Sequence, residues 1–97
     1  MDQTKTLSAQ TVVKAASGQM SCDLAGEAAI LNMATGIYYG LDAIGARIWE
    51  LIQQPASIGH IRDALLEEYD VEPSVVEGDI KALVSDMESH GLVEVVS

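Results

Sequence analysis

Two hydrophobic periodicities divide these 97 residues and together predict an α+β domain. The expected architecture is winged helix-turn-helix-like, with about three N-terminal antiparallel strands followed by three helices. Short β-rich runs fill the first half and are broken at Gly18, Gly26 and Gly36. From Asp42 onward, apolar residues recur instead at helical spacing. Pro55, Pro73 and Gly91 punctuate that second half where helices should start or stop.

Thr11–Ala16 and Met20–Leu24 are the first candidate strands, with Ser17-Gly18 as the break between them. Ala25-Gly26-Glu27 turns into an apolar run at residues 28–33. Ala34-Thr35-Gly36 reads as a hairpin turn, Gly36 supplying the positive φ that a three-residue loop needs. Ile37–Leu41 follows, alternating Ile37, Tyr39 and Leu41 against Tyr38 and Gly40. Asp42 is placed to cap a helix reaching about Gln53, with Ile44, Ile48, Leu51 and Ile52 on one face. Ser57 caps a second helix to about Tyr69, with Ile58, Ile61, Leu65 and Leu66 inward. Pro73 suits the first turn of a third helix, whose stripe is Val76, Ile80, Leu83, Val84 and Met87. Gly91 is the expected stop.

Residues 1–10 are polar and unpatterned and are expected to form a flexible tail, which leaves 11–97 as the domain. The 48% apolar content suits a folded chain whose core is aliphatic, since there is no Phe and one Trp. Trp49 is the largest expected anchor. No secretory signal is legible in residues 1–27 and no run reaches transmembrane length, so the expected compartment is the cytoplasm, away from membranes.

The net charge is −10, and it is unevenly spread. From Asp63 onward ten acids face Lys81 alone. A duplex reader needs Arg, Lys, Asn or Gln on its recognition helix and cations against phosphate. Here the second helix offers Asp63, Glu67, Glu68 and Asp70, with His60 and Arg62 apart from them. The third offers Glu77, Asp79, Asp86 and Glu88. The sequence therefore excludes nucleic acid as a partner.

Catalytic chemistry is equally hard to find. A lone Cys22 in an apolar strand reads as a small core residue. His60 and His90 sit on different helices without ligand-spaced neighbours, so no metal site is expected. Gly36, Gly40 and Gly45 fall at turn, strand and helix positions, not in a phosphate-binding loop. No catalytic residue and no cofactor are expected.

Binding has a positive mechanism. Strands in meander order would leave Ile37, Tyr38, Tyr39, Gly40 and Leu41 at a sheet edge, where an extended peptide adds as a further strand. The third helix would wall the groove through some of Val76, Ile80, Lys81, Val84 and Met87, although most of that stripe must seal the core. Lys81, alone among acids, is placed to pair with an acidic guest residue. An edge strand also pairs with its own copy, which leaves a homodimer open.

The block TGIYYGLDAIGARIWELI, residues 35–52, resembles the central motif of the PqqD-like proteins. Segments Ser57–Val71 and Asp79–Val93 continue the likeness. Two positions depart from the pattern: Asp42 stands where Asn is commoner, and Gly59-His60 replaces an acidic pair. The resemblance implies a recognition element for ribosomally made, modified peptides. Such an element holds a precursor's leader segment as an added strand beside its third strand and third helix, and presents the rest to an enzyme. The YY-x-L and G-x-x-I-W residues are most similar to the free-standing leader-binding proteins of lasso-peptide biosynthesis, whose partners are a leader peptidase and a cyclase. The alternatives are a peptide chaperone of pyrroloquinoline quinone biosynthesis, working with a radical SAM enzyme, and a scaffold without a peptide ligand.

Overall fold

A computed structural model describes residues 7–24 and 27–96. The order of elements is β1 (Val12–Ala15), β2 (Gln19–Leu24), β3 (Glu27–Asn32), β4 (Tyr38–Leu41), α1 (Ala43–Leu51), β5 (Ala56–Ser57), α2 (Ile58–Glu68), α3 (Pro73–Ser89) and β6 (Val93–Val95). The α+β class and the three helices agree with the sequence reading, and the winged helix-turn-helix likeness holds loosely. The expected turn at Ala25-Gly26 and residues 1–6 of the expected tail lie outside the described residues.

The strands divide into two small antiparallel sheets, ordered β2-β3-β4 and β5-β1-β6. The second sheet is an addition to the expected fold. Val13 pairs with Ala56 on one side and with Val95 on the other. β5 and β6 are two and three residues long, too short to leave an alternating pattern. Pairing across so many residues is a tertiary effect that local propensity does not report.

Each helix starts where local chemistry dictates. The Asp42 carboxylate accepts the Gly45 N–H at 2.8 Å, and the Ser57 hydroxyl accepts the His60 N–H at 3.0 Å. Each satisfies one of the amide donors left orphaned in a first turn. Gly45 is small for a reason: a Cβ there would lie 3.1 Å from Leu41 Cδ2. Its absence lets α1 begin directly against the end of β4. Gly91 ends α3 with φ +76°, the left-handed stop expected of it.

Residues 7–9, expected in the tail, reach the domain. Leu7 packs against the core, and the Ala9 carbonyl accepts the Gly59 N–H at 2.9 Å. A Cβ at Gly59 would sit 3.2 Å from that carbonyl. The small residue therefore admits the N-terminal segment over the start of α2.

The core joins Ile30 and Leu41 from the first sheet to Ile48, Trp49 and Ile52 around α1. Ile58, Ile61 and Leu65 enter from α2, and Val76, Ile80, Val84 and Met87 from α3. Fully burying each such side chain contributes about 1.5–3 kcal/mol. No polar side chain is buried among the described residues. Nor is any described helix long and apolar enough to cross a membrane.

Cys22 corrects the sequence reading: it is exposed, not in the core. It pairs with Ala29, which faces Gly40, so this row lies on the sheet face opposite Ile30 and α1.

Candidate peptide-binding groove

The β3–β4 hairpin is closed by its own side chains. The Asn32 amide oxygen accepts the Ala34 and Thr35 N–H groups at 2.9 and 3.2 Å. Gly36, at φ +74°, donates its N–H to the Asn32 carbonyl at 2.7 Å. This Asx turn fixes the register of β4 against β3.

The order β2-β3-β4 gives β4 a partner on one side only. Asn32 N–H donates to the Ile37 carbonyl at 3.0 Å, and the register then pairs Tyr39 with Ile30 and Leu41 with Ala28. Hydrogen-bonded pairs alternate with non-bonded pairs along an antiparallel ladder. Ile37, Tyr39 and Leu41 therefore turn their peptide groups toward β3. Tyr38 and Gly40 turn theirs to the open side. On the next strand, Met33 N–H bonds to the Gly18 carbonyl, which fixes the same alternation independently.

Beside that open edge runs α3, and two hollows lie between them. One, of about 340 Å³, is lined by Gly40, Leu41, Ile44, Ile48, Asp79 and Leu83, among others. The other, of about 270 Å³, is lined by Ile37, Tyr38, Tyr39, Ser89, His90 and Leu92, among others. Between them the Tyr39 hydroxyl donates to the Asp86 carboxylate. The His90 ring meets the Tyr39 ring edge-on at 5.2 Å, and its Nδ1 lies 2.8 Å from the Asp86 carbonyl. Burial, helped by the hydrogen bond to Asp86, pushes the Tyr39 phenol up to about 12. The phenol thus stays a donor throughout the neutral range.

Of the residues anticipated as groove lining, Ile37 to Leu41 sit at the open edge. Those anticipated on the third helix do not face it. Val76, Ile80, Val84 and Met87 are buried in the core, because that side of α3 closes over α2 and β6. Lys81 lies roughly half a turn around the helix from Asp79 and Leu83. It is ion-paired with Glu77 at 3.0 Å, and Glu77 is also bound by Arg62 of α2 at 2.8 Å. Arg62 first, then Lys81, hold the Glu77 carboxyl below the usual carboxylate range. Lys81 thus serves the contact between α2 and α3.

The helix face that does meet the groove is Asp79, Leu83, Asp86 and His90. Their spacing of four, three and four residues puts them on one stripe. That stripe was legible in the sequence, but its acids read as solvated surface. Among the described residues, no three or more His, Cys, Asp or Glu side chains come together in a way that could hold a metal ion.

An open strand edge flanked by a long helix is the arrangement of a strand-accepting binding domain. The chain belongs to the PqqD family, whose profile, described as coenzyme PQQ synthesis protein D, matches residues 27–93. No curated protein has a similar sequence at a significant level. Among solved structures, TbiB1 in complex with the TbiA(beta) leader peptide is 32% identical, with a TM-score of 0.79 over 87% of this chain and 98% of that one. A lasso peptide synthetase B1 complexed with the leader peptide superposes with a TM-score of 0.75 over 84% and 96% of the two chains. At 23% identity, that second likeness speaks for the fold alone.

Proposed function

We propose that this chain captures the leader segment of a ribosomally made precursor peptide and delivers it to a leader peptidase or other modifying enzyme in the cytoplasm. The observation that carries this reading is the β4 edge, where Tyr38 and Gly40 present free backbone groups beside α3. A relative 32% identical was solved with a leader peptide bound, which supports the same guest here. The guest adds as a strand next to Ile37, Tyr38, Tyr39, Gly40 and Leu41. Its inward side chains meet Leu83, Asp79 and His90, and backbone bonds supply the affinity. In this reading the chain itself neither cleaves nor modifies the guest.

A second reading, a peptide chaperone of pyrroloquinoline quinone biosynthesis, is favoured by the family's description. Neighbouring genes separate the two. A short precursor beside a peptidase and a cyclase supports the lasso pathway, whereas a radical enzyme supports the quinone pathway.

Fluorescence-polarisation titration with the TbiA(beta) leader, and with the leader of a precursor encoded beside this chain, tests the capture. Saturable binding of at least the encoded leader is expected. Binding of neither leader would contradict the proposal.

A further inference from the structure

The two hollows beside β4 differ in charge, and the difference constrains what a guest strand can carry. The hollow at the Leu41 end has apolar walls in Ile44, Ile48 and Leu83, and Asp42 and Asp79 also line it. Among the described residues, no Asp or Glu lines the hollow at the Ile37 end. Asp42 spends one carboxylate oxygen on the Gly45 N–H. Asp79 is exposed, and among the described residues its carboxylate has neither a hydrogen bond nor an ion pair. The Lys or Arg of each helix is committed elsewhere. Arg47 pairs with Glu50 and Glu68, Arg62 with Asp63 and Glu77, and Lys81 with Glu77.

A strand added at β4 turns alternate side chains toward α3, beside Ile37, Tyr39 and Leu41 in turn. The middle position falls over the Tyr39–Asp86 bridge. The two positions that enter the hollows are therefore four residues apart, a span of about 13 Å. The helix agrees: Asp79 and Leu83 at one hollow stand 11 and 7 residues before His90 at the other, roughly 10–17 Å along the axis. A side chain filling the hollow at the Leu41 end shields the Asp79 carboxylate from water. Shielding a carboxylate without a partner is costly, whereas a cation on the entering side chain satisfies it. Lys and Arg also bring an aliphatic stem that suits the apolar walls.

We infer that the groove selects leaders carrying a Lys or Arg four residues from an apolar residue. The cation seats against Asp79 in the hollow at the Leu41 end, and the apolar side chain fills the hollow at the Ile37 end. The inference rests on the leader-binding reading given above and names the chemistry of the guest. Asp79 is then a specificity residue, and its charge decides which leaders are accepted.

The test uses the intact chain and the leader of the precursor encoded beside it, scanned by single substitution in a polarisation titration. Glutamate in place of one Lys or Arg, and serine in place of an apolar residue four positions away, should each weaken binding at least about tenfold. Asp79→Lys should weaken binding of the native leader by a similar factor and recover most of the loss with the leader whose cation is changed to glutamate. Asp79→Asn should lose affinity in the same direction but less. Glu67→Gln removes a charge from α2 outside the lining of both hollows, and should bind within about twofold of wild type. Thermal melts should find all three variants folded, since both side chains are exposed. Unchanged binding by both Asp79 variants would overturn the inference while leaving leader capture intact. So would an equal loss in Glu67→Gln, because net charge alone would then attract the guest. Tight binding by a leader with no Lys or Arg at that spacing would overturn it too. Failure of the wild-type chain to bind the leader at all would overturn the leader reading itself, and this inference with it.

Discussion

The Tyr39 hydroxyl donates a hydrogen bond to the Asp86 carboxylate, tying strand β4 to helix α3 across the floor of the groove. The two hollows lie on either side of this bridge. It sets how far the open edge stands from the helix, and therefore the width available to a guest strand. His90, stacked edge-on against the Tyr39 ring, limits the directions that ring can take.

The bridge has a pH signature. The phenol is held at about 12 in the folded chain against an ordinary 10. Folding therefore favours the protonated phenol, and the associated stability is complete below pH 10. It is lost as pH rises from 10 through 12. Thermal melts should show wild type losing Tm across that window more steeply than Tyr39→Phe, whose side chain does not ionise. Parallel curves would mean that the fold does not hold the phenol above its ordinary value.

Leu83 and Ile80 sit three residues apart on α3 and should behave oppositely. Ile80 is fully buried, so Ile80→Val should cost about 0.5–1.5 kcal/mol of stability. The folded variant should bind leader normally. Leu83 lines the hollow beside Gly40 and Leu41. Leu83→Ser should weaken leader binding severalfold with a smaller loss of Tm. Denaturant melts and leader titration on both variants check the assignment, and weakened binding by Ile80→Val alone would reverse it.

How far the sequence carries depends on the range of each interaction. Asp42, Ser57, Gly36 and Gly91 act on neighbours one to four residues away, and each does in the structure what its local chemistry predicts. The edge position of β4 follows from meander order, which short turns favour. The sheet β5-β1-β6 was not legible, because its pairs join Val13 to residues 56 and 95. The groove wall on α3 was misjudged for a related reason. An amphipathic stripe tells which face is apolar, but not which flank meets β4 and which meets α2. Cys22 was placed in the core as a small residue of a strand taken to be apolar, but β2 alternates polar and apolar residues, and alternation alone does not say which set meets the core.

Its exposure gives Cys22 a testable chemistry. The thiol should react with an alkylating reagent in the native protein about as fast as in the unfolded chain. Cys22→Ser should shift stability by no more than about 0.5 kcal/mol, the usual range for surface positions. Maturation of the precursor should remain nearly intact. Protection of the native thiol, or loss of maturation with leader affinity preserved, would contradict this placement.

The central claim is that the guest pairs with the outward groups of β4, and proline substitution tests it most directly. Tyr38→Pro removes an N–H that points to the open side, so the hairpin should keep its bonds to β3. Tyr39→Pro removes an N–H turned toward β3 and should mainly lower Tm. Losing one interface bond costs on the order of 1 kcal/mol, with more for the guest carbonyl left unpaired. Tyr38→Ala separates the loss of the side chain from the loss of the donor. Leader titration alongside thermal melts should show Tyr38→Pro folded and binding at least about tenfold more weakly than Tyr38→Ala. If Tyr38→Pro stays folded and binds as Tyr38→Ala does, the guest does not use this edge.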